Sequence, residues 1–157
     1  MSKPKPTRAA VSQLQSHTGF WLRAVSNHVS HAFARKLLAS RVTPAEWVVL
    51  REMYDREDMS PSLLADLAGM TRGAASKLID RLVAKKLVSR RENAGDRRYQ
   101  DIALTPAGRT LVPSLAAIAD RNDQELFSRL TPAEHRALLT VLKKLVQVHG
   151  LRKSPIA

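Results

Sequence analysis

Arg72, Ser76 and Lys77 recur on one face at helical spacing, and Arg90, Arg91, Asp96, Arg97 and Arg98 crowd a short stretch downstream. Basic groups at this density share one chemistry, which is binding anions. A guanidinium donates two parallel hydrogen bonds to a phosphate or to the O6/N7 edge of guanine, and a hydroxyl or an ammonium takes a base edge or a phosphate. Residues 71–98 hold nine basic and three acidic groups, a net +6, which is half of the formal +12 carried by the 157-residue chain. Residues 41–70 hold three basic and six acidic groups, so the charge is sorted along the chain instead of being spread as a solvating surface. On charge alone an alternative stays open: Arg72 and Lys77 as solvated helix charges, and Asp96 with Arg98 as a turn residue and a hairpin charge pair.

Other chemistries find less support. The chain has no Cys, which excludes a disulfide scaffold, a thiolate zinc site and a cysteine redox sensor. There is no Walker loop, His-Glu-x-x-His pair or Gly-x-Ser-x-Gly elbow, so no catalytic residue and no enzyme activity are expected. His28 and His31 form an i, i+3 pair, but zinc needs at least a third ligand. They are expected to be polar interface or pocket residues, with no metal and no cofactor. No apolar run approaches the ~18–20 residues of a membrane span, and the opening MSKPKPTR lacks the apolar stretch of a secretory signal. A cytoplasmic, nucleoid-associated protein without a membrane partner is expected.

The elements that must position these side chains are legible in turn. Residues 1–10 read as a disordered basic arm. From residue 11 to 39, Leu22, Val25, Val29, Phe33 and Leu37 recur at helical spacing, predicting one long helix that is irregular near Gly19. Thr43-Pro44-Ala45-Glu46 predicts a capping box opening a second helix that runs to about Asp55. Ser60-Pro61 caps a short helix that Gly69 ends. Thr71 then caps a helix whose apolar stripe is Ala75, Leu78, Ile79 and Leu82. Two short helices joined by a Gly-containing turn make a helix-turn-helix. Residues 87–93 and 97–105, with Gly95-Asp96 between them, predict a β-hairpin in which Gln100, Ile102 and Leu104 alternate with Tyr99, Asp101 and Ala103. Thr105-Pro106 opens a helix to about Arg129, with Pro113 expected to kink it or remove one backbone hydrogen bond. Thr131-Pro132-Ala133-Glu134 opens the last helix, which ends at Gly150.

The fold class is therefore mainly α with a small β-hairpin wing. A winged helix-turn-helix domain at 41–105 is flanked by helices at 11–40 and 106–150. The apolar stripes of those flanking helices exceed what a winged-helix core can cover, so they are expected to interlock two chains in a two-fold dimer. Such a dimer sets two recognition helices about one DNA turn, ~34 Å, apart on a pseudo-palindromic operator.

Five stretches, Ser60-Pro-Ser-Leu-Leu-Ala-Asp-Leu-Ala, Thr71-Arg-Gly-Ala-Ala-Ser-Lys-Leu-Ile-Asp-Arg-Leu, Leu87-Val-Ser-Arg-Arg, Asp96-Arg-Arg and Leu104-Thr-Pro-Ala-Gly108, resemble the MarR family of winged helix-turn-helix transcriptional regulators. The likeness extends over about residues 12–149. In that family an Asp-x-Arg element ends the wing and Leu-Thr-x-x-Gly follows at a fixed distance. Lys86 departs from the pattern, since the family usually has Gly between the recognition helix and the first wing strand.

The resemblance implies that Arg98 enters the minor groove, oriented by Asp96, and that the chain is dimeric. Arg72, Ser76 and Lys77 are expected in the major groove, with Gly73 and Ala74 small enough for close approach. Arg90 and Arg97 are expected on phosphates, and Ser60 and Thr71 complete the candidate DNA-contacting set. A small aromatic or phenolic ligand, which the resemblance places between the dimerisation helices and the winged helix, is expected to meet Trp21, His28, His31 and Trp47, although core packing accounts equally well for both Trp. The expected function is a sequence-specific repressor relieved by that ligand. The alternative is an architectural double-stranded-DNA-binding protein without an effector.

Overall fold

The computed structural model describes residues 11–96 and 98–151; the basic arm expected at 1–10 lies outside them. Hydroxyl caps set the helix starts. Thr43, Ser60, Thr105 and Thr131, each followed by Pro, open α2 (Pro44–Tyr54), α3 (Pro61–Ala68), α5 (Pro106–Phe127) and α6 (Pro132–Val148). Thr71 opens α4 (Arg72–Ala84). Each side-chain oxygen accepts the backbone N–H three residues on, satisfying one of the donors that a helix start leaves bare. At α2 and α6 the capping box is complete, because the Glu46 and Glu134 carboxylates accept the N–H of Thr43 and Thr131, both at 2.8 Å. The Thr131 backbone N–H holds the Glu134 carboxyl below its usual range, with the Thr131 hydroxyl adding to it. That support for α6 is full above the ordinary Glu range and is lost as acid takes the group through its lowered pKa.

The first helix is shorter than the periodicity predicts. α1 spans Thr18–Leu37, and Leu14–Ser16 ahead of it forms a single 3-10 turn. The carbonyls of Gln13, Leu14 and Gln15 are taken by local donors: Ser16 Oγ donates to Gln13 at 2.7 Å, and the Trp21 indole N–H donates to Gln15 at 2.9 Å. Such local bonds compete with the helical ladder, so Gly19 lies in the first turn and not at an interior irregularity. α5, by contrast, runs unbroken through Pro113, whose ring is exposed.

β1 (Val88–Glu92) and β2 (Gln100–Leu104) pair antiparallel, with Val88 opposite Leu104 and Glu92 opposite Gln100. Met59 exchanges two backbone hydrogen bonds with Ile102, at 3.1 and 2.8 Å, and so joins the linker before α3 to the sheet. The expected in–out alternation of β2 does not appear: Gln100, expected on the buried face, is exposed at the tip. Ala103 is buried together with Ile102 and Leu104, because α2, α3 and α5 all contact β2 and enclose the hairpin base.

One core joins these parts. Leu50, Met53, Leu64, Ile79, Leu82 and Ile102 pack with Leu37 of α1 and with Val112 and Leu115 of α5, so both flanking helices are rooted in the winged helix. Gly108 lets α5 dock, since a Cβ there would collide with the Leu87 carbonyl. α6 has no buried residue, and it exposes Leu139, Val141, Leu145 and Val148; α1 exposes Trp21, Leu22 and Val25.

Two devices hold the end of α4. The Lys85 ammonium lies 2.7 Å from both oxygens of Glu46, a residue only 1% exposed, and also donates to the Arg41 carbonyl at 2.7 Å. Past it, Lys86 adopts φ 60°, while Leu87 N–H reaches the Leu82 carbonyl and Lys86 N–H the Val83 carbonyl. This is a Schellman motif with Lys at the left-handed position that favours Gly.

Two substitutions should separate these devices in urea denaturation at fixed protein concentration. Lys85→Met leaves the Glu46 charge buried and unpaired. It should cost about 3 kcal/mol, the lower end of the range for such pairs because Lys85 is partly solvated. Lys86→Gly relieves a backbone state that costs a side chain about 1–2 kcal/mol, offset by the freedom glycine adds to the unfolded chain, and should raise stability by about 0.5–1 kcal/mol. A lowered midpoint for Lys86→Gly would contradict the strain assigned to that residue.

Candidate nucleic-acid interface

The helix-turn-helix follows from its caps and its apolar stripe. Gly69 ends α3 at φ 68°, its N–H bonding back into the helix, and Thr71 restarts the chain as α4 two residues later. α4 buries Ala75, Leu78, Ile79 and Leu82. Thr71, Arg72, Gly73, Ala74, Ser76 and Lys77 are all exposed around its N-terminal turns. None of Arg72, Ser76 and Lys77 makes a side-chain hydrogen bond or ion pair with another described residue. Nothing stands within 4 Å of where a Gly73 side chain would begin, so the fold itself does not require glycine there. The oxygens of Ser60 and Thr71 are used as caps, which leaves each hydroxyl hydrogen available to an outside acceptor.

The wing tip brings Asp96 and Arg98 together. Arg98 Nε lies 3.0 and 3.2 Å from the two carboxylate oxygens, Nη2 donates at 2.7 Å, and the Arg98 backbone N–H donates at 3.0 Å. The pairing is side-on: it uses Nε–H and one Nη2 hydrogen of the five guanidinium donors. Three donors therefore face outward on a side chain 85% exposed. The Arg98 guanidinium, helped by the Arg98 backbone N–H, holds the Asp96 carboxyl below the usual carboxylate range. Asp96 in turn raises the Arg98 guanidinium. The pair thus persists through neutral pH and opens only as acid protonates Asp96.

The other wing arginines are less free than sequence reasoning suggests. Arg90 Nη2 donates to Asp80 of α4 at 2.5 Å, tying the wing to the recognition helix. Arg91 reaches Asp58 at 3.4 Å. Neither acid is adjacent in sequence to its arginine, so no local pattern reveals these pairs. Arg97, expected on a phosphate, lies outside the described residues. Asn93 and the exposed Tyr99 were not singled out by charge or spacing, yet both belong to the wing tip.

The four candidate pocket residues are spread over two helices. Trp21 is exposed on α1 and meets Phe20 edge to face with centroids 5.3 Å apart. His28 and His31 are exposed further along α1, and Trp47 of α2 packs against the core. Three clefts, between α5 and α6, between α3 and the wing, and beside Arg109, are lined by other residues. Among the described residues no group of three or more His, Asp or Glu could hold a metal ion, and no helix is long and apolar enough to cross a membrane.

Comparison with known proteins agrees with this geometry. Residues 42–98, from just before α2 to the wing tip ahead of β2, match the sequence pattern of the MarR family. A protein of Thauera aromatica named as a transcriptional regulator of the hcr operon is 28% identical over 90% of this chain and 89% of its own length. BpsR of Bordetella bronchiseptica, whose DNA binding is regulated by 6-hydroxynicotinic acid, superposes with a TM-score of 0.78 at 28% identity, over 87% of this chain and 97% of that one. A mutant MarR of Escherichia coli complexed with operator DNA superposes with a TM-score of 0.76 at 26% identity, over 82% of this chain and 92% of its own. Pattern, relatives and fold converge: the chain is similar over most of its length to MarR-family regulators and is a winged-helix, DNA-binding transcriptional regulator of that type.

Proposed function

We propose that this regulator acts as a homodimer that represses transcription from a pseudo-palindromic operator and is released by a small aromatic or phenolic acid. The observation that carries the DNA reading is the exposed, internally unpaired set Arg72, Ser76 and Lys77 at the start of α4, with Arg98 held outward on the wing. The N-terminal end of such a helix is the part that enters the major groove. Arg98 takes the flanking minor groove, where a narrow A·T tract concentrates negative potential. Gly73 and Ala74 lie at the groove wall. Ser60 and Thr71 give their hydroxyl hydrogens to phosphates, and Asp96 orients Arg98. Arg90 braces the wing through Asp80 and adds its field to the phosphate attraction, as Arg97 does.

In this reading residues 41–105 contact DNA, while 11–40 and 106–150 pair two chains. Support for pairing comes from α6, which exposes Leu139, Val141, Leu145 and Val148, and from Trp21, Leu22 and Val25 of α1. Monomers seldom leave so much apolar surface open. Trp21, His28 and His31 lie on α1 near that surface, and with Trp47 they supply aromatic faces and imidazole donors suited to an aromatic carboxylate. Release would be a population shift in the spacing of the two recognition helices. The acid that regulates BpsR is a precedent for the ligand class.

Competition binding at one salt concentration tests the reading. DNA upstream of the chain's own gene and its neighbours should outcompete random duplex by ~10³ or more. A ratio near one would point to an architectural protein instead. Arg72→Ala should lower that ratio by about tenfold or more, whereas an equal loss on both duplexes would make Arg72 a phosphate contact. Arg98→Ala should weaken operator binding without altering helicity or assembly. Leu145→Glu should halve the mass seen in sedimentation; an unchanged mass would remove α6 from the interface.

A further inference from the structure

We infer that Asn93, locked by Asp101, is a positioning residue that presets the wing arginine Arg98 for the minor groove. Asn93 follows β1, and both ends of its side-chain amide and its backbone N–H bond within the wing. Its Oδ1 accepts the backbone N–H of Gly95 at 2.9 Å and of Asp96 at 3.0 Å, and its Nδ2 donates to the Asp101 carboxylate at 2.6 Å. Its own backbone N–H donates to the Tyr99 carbonyl at 3.0 Å, and the Tyr99 N–H donates to the Asp96 carbonyl at 3.0 Å. The chemistry settles the amide orientation, since only the oxygen can accept two N–H groups and only the NH2 can donate to a carboxylate.

These bonds form a relay. Asp101 is set by β2, where it stands opposite Arg91. It fixes the Asn93 amide, which fixes the Asp96 backbone, and the Asp96 carboxylate grips the Arg98 guanidinium from the side. Arg98 is 85% exposed, so packing restrains it little and its direction depends on this chain of bonds. An arginine held in this way has given up much of its rotamer freedom before DNA arrives, so less is lost on binding. Asn93 and Asp101 touch no DNA in this arrangement; they act through Arg98.

The inference rests on the assignment of Arg98 to the minor groove, and the experiment separates the two. The probe is a duplex selected by the wild-type protein from a randomised pool, compared with the same duplex carrying G·C pairs in place of its A·T flanks. The readout is the ratio of the two affinities for one protein, which a partial loss of folded protein or a change in net charge leaves unmoved. Wild type should prefer the A·T flanks by about tenfold, the scale of one lost readout position. Arg98→Ala should abolish the preference; if it does not, the minor-groove assignment of Arg98 fails.

Asn93→Asp sets a carboxylate against Asp101 and should lose the preference as Arg98→Ala does. Asn93→Ala, which removes the bonds without repulsion, should reduce it in the same direction. The exchange Asn93→Asp with Asp101→Asn restores donor, acceptors and net charge, and should restore the ratio. If Asn93→Asp keeps the full preference while Arg98→Ala loses it, or if the exchanged pair is no better than Asn93→Asp alone, Asn93 does not position Arg98.

Discussion

A carboxylate taken almost wholly out of water organises the winged-helix part of the molecule. Glu46 is 1% exposed, and its two oxygens serve Thr43 N–H and Lys85 Nζ. An unpaired charge at that depth would cost several kcal/mol, so the three partners cannot drift apart cheaply. Thr43 begins α2, Lys85 ends α4, and Lys85 also binds the Arg41 carbonyl in the elbow that follows α1. One side chain thereby pins the C-terminal end of the recognition helix to the corner where the long flanking helix enters. Pinning that end leaves the other, with Arg72, Ser76 and Lys77, aimed outward.

A second polar tie acts along the C-terminal half of α1, just before that elbow. Lys36 donates to Asn122 at 3.0 Å and pairs with Glu125 of α5, and Asn122, only 4% exposed, donates to the Val29 carbonyl. The two flanking helices thus cross at a polar contact while Leu37, Val112 and Leu115 join the shared apolar core. On the proposed reading, a movement between paired chains passes through α1 and α5 into the elbow and on to α4. Close packing favours such transmission, because rods seated in one core shift together more readily than they bend.

The local rules of the chain were easy to read because short-range chemistry decides them. A capping hydroxyl reaches only the N–H groups of the turn that follows it, so Thr43, Ser60, Thr71, Thr105 and Thr131 mark helix starts correctly. Gly69 stops α3 for an equally local reason. The start of α1 was misread because periodicity cannot see that Ser16, His17 and Trp21 divert the preceding carbonyls. The alternation in β2 failed at Ala103 because three helices, distant in sequence, close over the hairpin base. On the candidate interface, basic residue types and spacing were visible. The acids that restrain Arg90 and Arg91, and the amide that braces Asp96, were not.

The sequence by itself determined the order of elements, the sorted charge and the identity of the side chains that a nucleic acid would meet. All of these depend on residue type and on neighbours within a turn or two. Only the tertiary structure decided which of those charges are free to act. Arg72, Lys77 and Arg98 face outward, whereas Arg90 is spent on Asp80 and Lys85 on Glu46. The physical reason is that a charge pairs with whatever the fold brings within about 4 Å, where the interaction is strongest. Glu46 and Lys85, 39 residues apart in the chain, become partners only when α2 and α4 pack together.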